Sequence, residues 1–160
     1  MHQEGTTKPV FTTVRRFIKT GIGFLILGLL LGGYLIIQRE LLNQFPDPHL
    51  VSAHAHAVQL GFVMFVILGV ALWLFPRASK DDRRYKPQVI EASYWVLTLA
   101  TASRFAAEAS RAWSDHAVLR WIVVIGGLGQ ILGIMLYFSS MWWRIRALGS
   151  IIRERAGERF

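Results

Sequence analysis

Cysteine is absent from the 160 residues. This excludes disulfides, thiolate metal ligands, iron–sulfur clusters and the Cys-x-x-Cys-His attachment of c-type heme. Charge is scarce too: Asp, Glu, Lys and Arg make up 18% of the chain against 53% hydrophobic residues, and mean hydropathy is +0.38. Charged residues cluster in a few stretches and leave little chain for a soluble domain. Alternating polarity is missing from the apolar runs, so a membrane β-barrel is excluded. No solenoid-period repeat and no low-complexity tract interrupts the pattern.

What remains is four runs at about residues 20–38, 48–75, 89–112 and 118–143. Each is long enough to cross a hydrocarbon core of roughly 30 Å as a helix. In the first, Gly28 and Gly32 have the spacing that lets helices approach closely. Gly32-Gly33-Tyr34 leads on through Leu35, Ile36 and Ile37, the pattern of an uncleaved helix rather than a secretory signal. The second opens at Pro46-Asp47-Pro48, where Asp47 can cap and Pro48 can take the first helical position. It ends at Phe75-Pro76. The expected fold is all-α, an integral membrane four-helix antiparallel bundle forming a single domain over 1–160.

Net charge is +8, and fourteen of the eighteen basic residues lie before the first run, between the second and third, or after the fourth. Only Arg39, Arg111 and Arg120 fall at the other side. By the positive-inside rule both termini and the middle loop are cytoplasmic. Trp113 and Trp121 fall near the outer boundary and Trp73, Trp142 and Trp143 near the inner one, as interfacial aromatics do. The basic balance thus has a topological explanation, and nucleic acid is not an expected partner. The lipid bilayer is.

Ionisable groups inside a bilayer need a partner or a wet cavity. The second run carries Ser52, His54, His56 and Gln59, the third Glu91, Arg104 and Glu108, the fourth Gln130. His54 and His56 project about 200° apart on a regular helix and cannot share one metal from it. Gly61 and Phe65 follow on the face of His54, flanked by Leu68 and Gly69, whereas Leu60, Val63 and Ile67 follow His56. Gly126, Gly129, Gln130, Gly133 and Tyr137 form one face of the fourth helix. Such a face serves either close helix packing or, opposite an intramembrane histidine, a slot for a porphyrin. At 1.5 Å per residue, His54 lies about 9 Å and Arg104 about 12 Å below the same surface. Arg104 could therefore pair with heme propionates or with Glu108 one turn away, and the two pairings are compatible.

The stretch His54-Ala55-His56-Ala57-Val58-Gln59-Leu60-Gly61, continuing to Pro76-Arg77, resembles the second helix of the catalytic subunit in the heme-copper oxidase and nitric oxide reductase superfamily. It is most similar to the small oxidase-subunit-I-like and NO-response membrane proteins. The resemblance is clear over residues 49–77 and implies heme b, with His54 as axial ligand and His56 as the other candidate metal ligand. Arg104, Gly61, Phe65, Gly126, Gly129 and Gly133 are the candidate cofactor contacts, and the expected location is the bacterial cytoplasmic (inner) membrane. Of five histidines, His2 is terminal and His49 and His116 lie at loops. The further histidines of a binuclear oxidase centre are lacking, so the expectation is a non-enzymatic protein with an open axial site. Its ligand would be a diatomic gas, NO in preference and otherwise dioxygen or CO, for sensing, buffering or transport. The alternatives are a membrane electron-transfer heme protein, with homo-oligomer formation supplying a second ligand, a heme-free assembly subunit, and a small exporter using Glu91 or Glu108.

Overall fold

The computed structural model describes residues 8–75 and 86–145, with side chains from Thr12 onward. Among the described residues there are four long helices and no strand. Helix α1 is Lys8–Glu40. Helix α2 occupies Pro48–Leu74 in three parts, α-helical over Pro48–His56, π-helical over Ala57–Met64 and α-helical again over Phe65–Leu74. Helices α3 and α4 are Pro87–Arg111 and Ala117–Met141, and a 3-10 turn, Trp142–Arg144, follows. The Pro76-Arg77 end of the second run, most of the middle loop, His2 and the basic tail beyond Ile145 lie outside the described residues.

Local chemistry sets the start of α2. The Asp47 carboxylate accepts a hydrogen bond from the His49 amide at 2.7 Å, and Pro48, which has no amide hydrogen to satisfy, takes the first helical position. The π-helical middle is unusual in being eight residues long. No residue type in Ala57–Met64 announces it.

Glycine decides where helices meet. A Cβ at Gly28 would stand 2.7 Å from Val58, one at Gly61 would stand 2.6 Å from Phe24, and one at Gly69 would stand 3.0 Å from Phe17. Residue numbers rise along α1 as they fall along α2, so the two are antiparallel. Between α3 and α4 the matched pairs are Gly126 with Arg104, Gly129 with Ala100 and Gly133 with Leu97, again antiparallel. Phe17 of α1, Phe65 of α2 and Tyr94 of α3 bring the two pairs together, with ring centroids 5.2 to 6.4 Å apart. Tyr137 of α4 joins them: its ring lies 5.9 Å from that of Phe17, and its hydroxyl donates to the Leu68 carbonyl at 2.6 Å. Arg144 donates to the Phe75 carbonyl at 3.2 Å, satisfying a group at the end of α2.

Among the described residues, three stretches are long and apolar enough to cross a membrane: Thr12–Glu40, Pro48–Leu74 and Ala117–Arg144. Helix α3 is not among them, because Glu91, Arg104, Glu108 and Arg111 dilute its hydropathy. Apolar side chains such as Leu30, Ile36, Ile67, Ile125 and Leu128 are exposed, the surface expected of helices in contact with lipid. In the loop joining α3 to α4, Asp115 bonds Arg120, with Arg111 at 3.4 Å. The hydrogen bond from Arg120, with the charge of both guanidiniums, holds the Asp115 carboxyl below the usual carboxylate range.

The glycine contacts yield a graded expectation. A Cβ at Gly126 meets Arg104 Cβ at 2.8 Å and the Ala100 carbonyl at 3.0 Å, and a backbone atom cannot swing aside. Gly126→Ala is expected to destabilise the α3–α4 pair by about 1–3 kcal/mol. A Cβ at Gly23 meets nothing within 4 Å, so Gly23→Ala should be neutral or slightly stabilising. Thermal unfolding in detergent reads both, and equal midpoints for the two variants would contradict the packing described.

Candidate functional site

His54 faces α1. Its Nδ1 lies 2.8 Å from the Gly28 carbonyl oxygen. A carbonyl only accepts, so Nδ1 carries a proton, and Nε2 is the ring nitrogen turned away from that bond. The ring rests on Gly32, where a Cβ would stand 2.7 Å from His54 Cε1. Gly28 and Gly32 thus do more than admit a neighbouring helix: one orients the imidazole and the other makes room for it. Gly61 and Phe65 follow His54 on this same face, against Phe24 and Gly21 of α1.

His56 faces α3 instead. Its Nδ1 is 2.9 Å from Glu108 Oε2 and 3.3 Å from the Ser52 hydroxyl. Glu108, with a side chain only 4% exposed, also accepts from Arg104 Nε at 3.0 Å. Arg104 Nη1 donates to Gln130 Oε1 at 2.8 Å, and Gln130 Nε2 donates to Thr101 Oγ1 at 3.1 Å. Six residues on three helices thereby form one chain of hydrogen bonds from Ser52 to Thr101. Val63 and Ile67, on the face expected to carry His56, are exposed. The π-helical segment begins directly after His56 and shifts the later residues relative to it.

The glycine faces are occupied within the chain. Phe24 fills the space at Gly61, Arg104 that at Gly126, Ala100 that at Gly129 and Leu97 that at Gly133. These four glycines stand at close helix contacts. Arg104 pairs with Glu108, the local alternative weighed for it, while His54 lies on the α1 side. The structure thus brings His56 to Arg104 through Glu108. His54 it keeps apart from that group.

Residues 12–158 match the family described as Cytochrome C and Quinol oxidase polypeptide I. The chain belongs to this family. Nearly the whole chain is included, well beyond the second helix that carried the resemblance. No curated protein and no solved structure matches it. The oxidase polypeptide I family binds heme, and the donor set can be tested for that chemistry. Both His54 and His56 have Nδ1 engaged by an oxygen acceptor, so Nε2 is the nitrogen that would coordinate a metal, the arrangement that orients metal-ligating histidines. The residues present fit single axial ligation by an imidazole. Among the described residues no group of three or more His, Cys, Asp or Glu comes together to hold a metal ion without a porphyrin.

Sequence reasoning missed the roles of Gly28, Gly32 and Gln130 toward their neighbours. The Gly28/Gly32 spacing was visible, but which residue it received depends on the register of α1 against α2.

Glu108 is the buried centre of the network, so removing its cation is expected to be costly. Arg104→Ala should destabilise the folded protein by about 3 kcal/mol, as for a buried ion pair deprived of one partner. Adding Glu108→Gln should recover more than half of that loss. Additive destabilisation in the double variant, read by denaturant unfolding in detergent, would show that the pair is not energetically coupled.

Proposed function

We propose that this chain is a four-span membrane protein that holds heme b through His54 Nε2 and binds a diatomic gas, NO in preference. The observation carrying this reading is the His54 imidazole, fixed in one tautomer by the Gly28 carbonyl and seated on Gly32. When bound, the heme would supply an iron of the kind that takes NO, CO or dioxygen. Helix α1, which faces His54, contains neither His nor Met between Lys8 and Glu40 and so offers no strong second axial ligand. The preference for NO rests on the likeness of the His54–Gly61 stretch to the NO-response proteins. The glycine faces at Gly61, Gly126, Gly129 and Gly133 are filled, so the porphyrin belongs outside these packed interfaces. A homo-oligomer with heme between copies is consistent with that placement.

The chain's own groups do the rest. The Gly28 carbonyl sets the ring through Nδ1 and prevents rotation about χ2. Helix α3 completes the four spans, because Arg104, Glu108, Gln130 and Thr101 satisfy one another inside the bundle. The basic residues at the start of α1 support a cytoplasmic position for that end, in an inner membrane. A second reading, electron transfer, is favoured by one observation, the equally oriented His56. A low-spin heme would then take His54 from one chain and His56 from a neighbour.

Heme retention, read as Soret absorbance per mole of protein, tests the assignment. His54→Ala is expected to lose most of it and His56→Ala little. Gly32→Leu should imitate His54→Ala by displacing the ring. Gly33→Leu should not, since a Cβ at Gly33 meets nothing within 4 Å. Matching far-UV circular dichroism controls for folding. A reversed order of the two histidines assigns the iron to His56, and colourless wild-type protein from heme-replete cells rejects heme. A ferric electron paramagnetic resonance signal near g ~ 6 supports one strong protein ligand and gas binding. A wholly low-spin spectrum unaffected by NO establishes the electron-transfer reading instead.

A further inference from the structure

Near the basic end of α1, an open cleft of about 350 Å³ is lined by Thr12, Arg15, Arg16, Lys19 and Thr20 of α1 and Tyr94 of α3. The spacing puts these α1 residues on one flank of the helix. Two contacts tie its walls together: Arg16 Nη1 donates to Glu91 Oε1 at 2.8 Å, and the Thr20 and Tyr94 hydroxyls lie 2.9 Å apart. Glu91 balances one of the three cations. Arg15 and Lys19 are exposed and have no partner among the described residues. Two uncompensated cations, with the one hydroxyl proton that the Thr20–Tyr94 bond leaves over, suit a singly charged phosphate diester.

The surface above the cleft indicates where such a phosphate comes from. Beyond Lys19 the same side of α1 becomes an exposed apolar strip of Ile22, Ile26, Leu27 and Leu30. At Gly23 the strip is open, with nothing within 4 Å of where a Cβ would stand. A polar phosphate site one turn below an uncovered apolar track has the shape of a phospholipid, headgroup at the interface and acyl chain along the helix. We propose that this cleft binds the phosphate of an anionic phospholipid of the phosphatidylglycerol type. The site is separate from His54 and His56 and does not depend on heme.

Native mass spectrometry of the full chain in a neutral detergent tests the proposal, with phosphatidylglycerol, phosphatidylcholine and inorganic phosphate titrated separately. The wild-type protein should retain phosphatidylglycerol in preference to phosphatidylcholine. Arg15→Gln/Lys19→Gln should weaken that retention about thirtyfold, in line with the contribution of two interfacial cations. Arg39→Gln, at the far end of α1, should leave it unchanged. Tyr94→Phe removes one hydroxyl and no charge and should weaken retention about twofold. It carries the test if the double variant does not fold. Equal retention of the two lipids, or retention unaffected by Arg15→Gln/Lys19→Gln and by Tyr94→Phe, would overturn the site. Displacement of the lipid by millimolar inorganic phosphate would overturn the lipid assignment and leave a free-anion site.

Discussion

Close approach of helices at glycine is the constraint on which the rest of this structure depends. In lipid there is little hydrophobic drive to bring one apolar helix against another, so contact must come from dispersion between surfaces that fit. Glycine supplies the fit on both sides of the bundle. Gly28, Gly61 and Gly69 admit Val58, Phe24 and Phe17, and Gly126, Gly129 and Gly133 admit the side of α3. Because the backbones come close, a carbonyl can serve a side chain on the next helix. The bond from His54 to Gly28 and that from Ser93 to the Gly133 carbonyl at 2.9 Å both arise this way.

The same closeness makes the polar groups tolerable. Glu108 and Gln130 are buried, and each would carry a large desolvation penalty alone. Arg104 lies over Gly126 and Gly127 with its head between those two acceptors. A larger residue at 126 would push Arg104 from both at once, so packing and charge compensation are one problem here. The π-helical segment belongs to it too, since it separates the orientation of His56 toward α3 from the lower half of α2, which packs on α1.

Two polar regions result at different levels of the bundle. One contains His54 on the α1 side and, beside it, the network from Ser52 to Thr101. The other is the cleft around Arg15 and Lys19, where the apolar surface ends. The first is built from groups that satisfy one another inside the bundle, apart from the Nε2 atoms of the histidines. The second keeps cations facing outward, where an aqueous or headgroup counterion can reach them.

The sequence by itself determined the all-helical class, the cap at Asp47 and the membrane character. Each follows from short-range rules: hydropathy over about 20 residues and one capping carboxylate. It also singled out the polar groups inside the runs, because in apolar surroundings they stand out singly. It left two pairings open for Arg104 and two uses for the glycine faces, and only the tertiary structure shows the bond from Arg104 to Glu108 and the neighbours that each glycine meets. Register between helices is the reason. Which residue stands opposite Gly32 or Gly126 depends on how two helices slide and rotate against each other. In α2 a π-helical segment changes the angle per residue without any mark in residue type. Contacts between residues 26 or 52 apart in the chain, such as Gly28 with His54 and His56 with Glu108, exist only once that register is fixed.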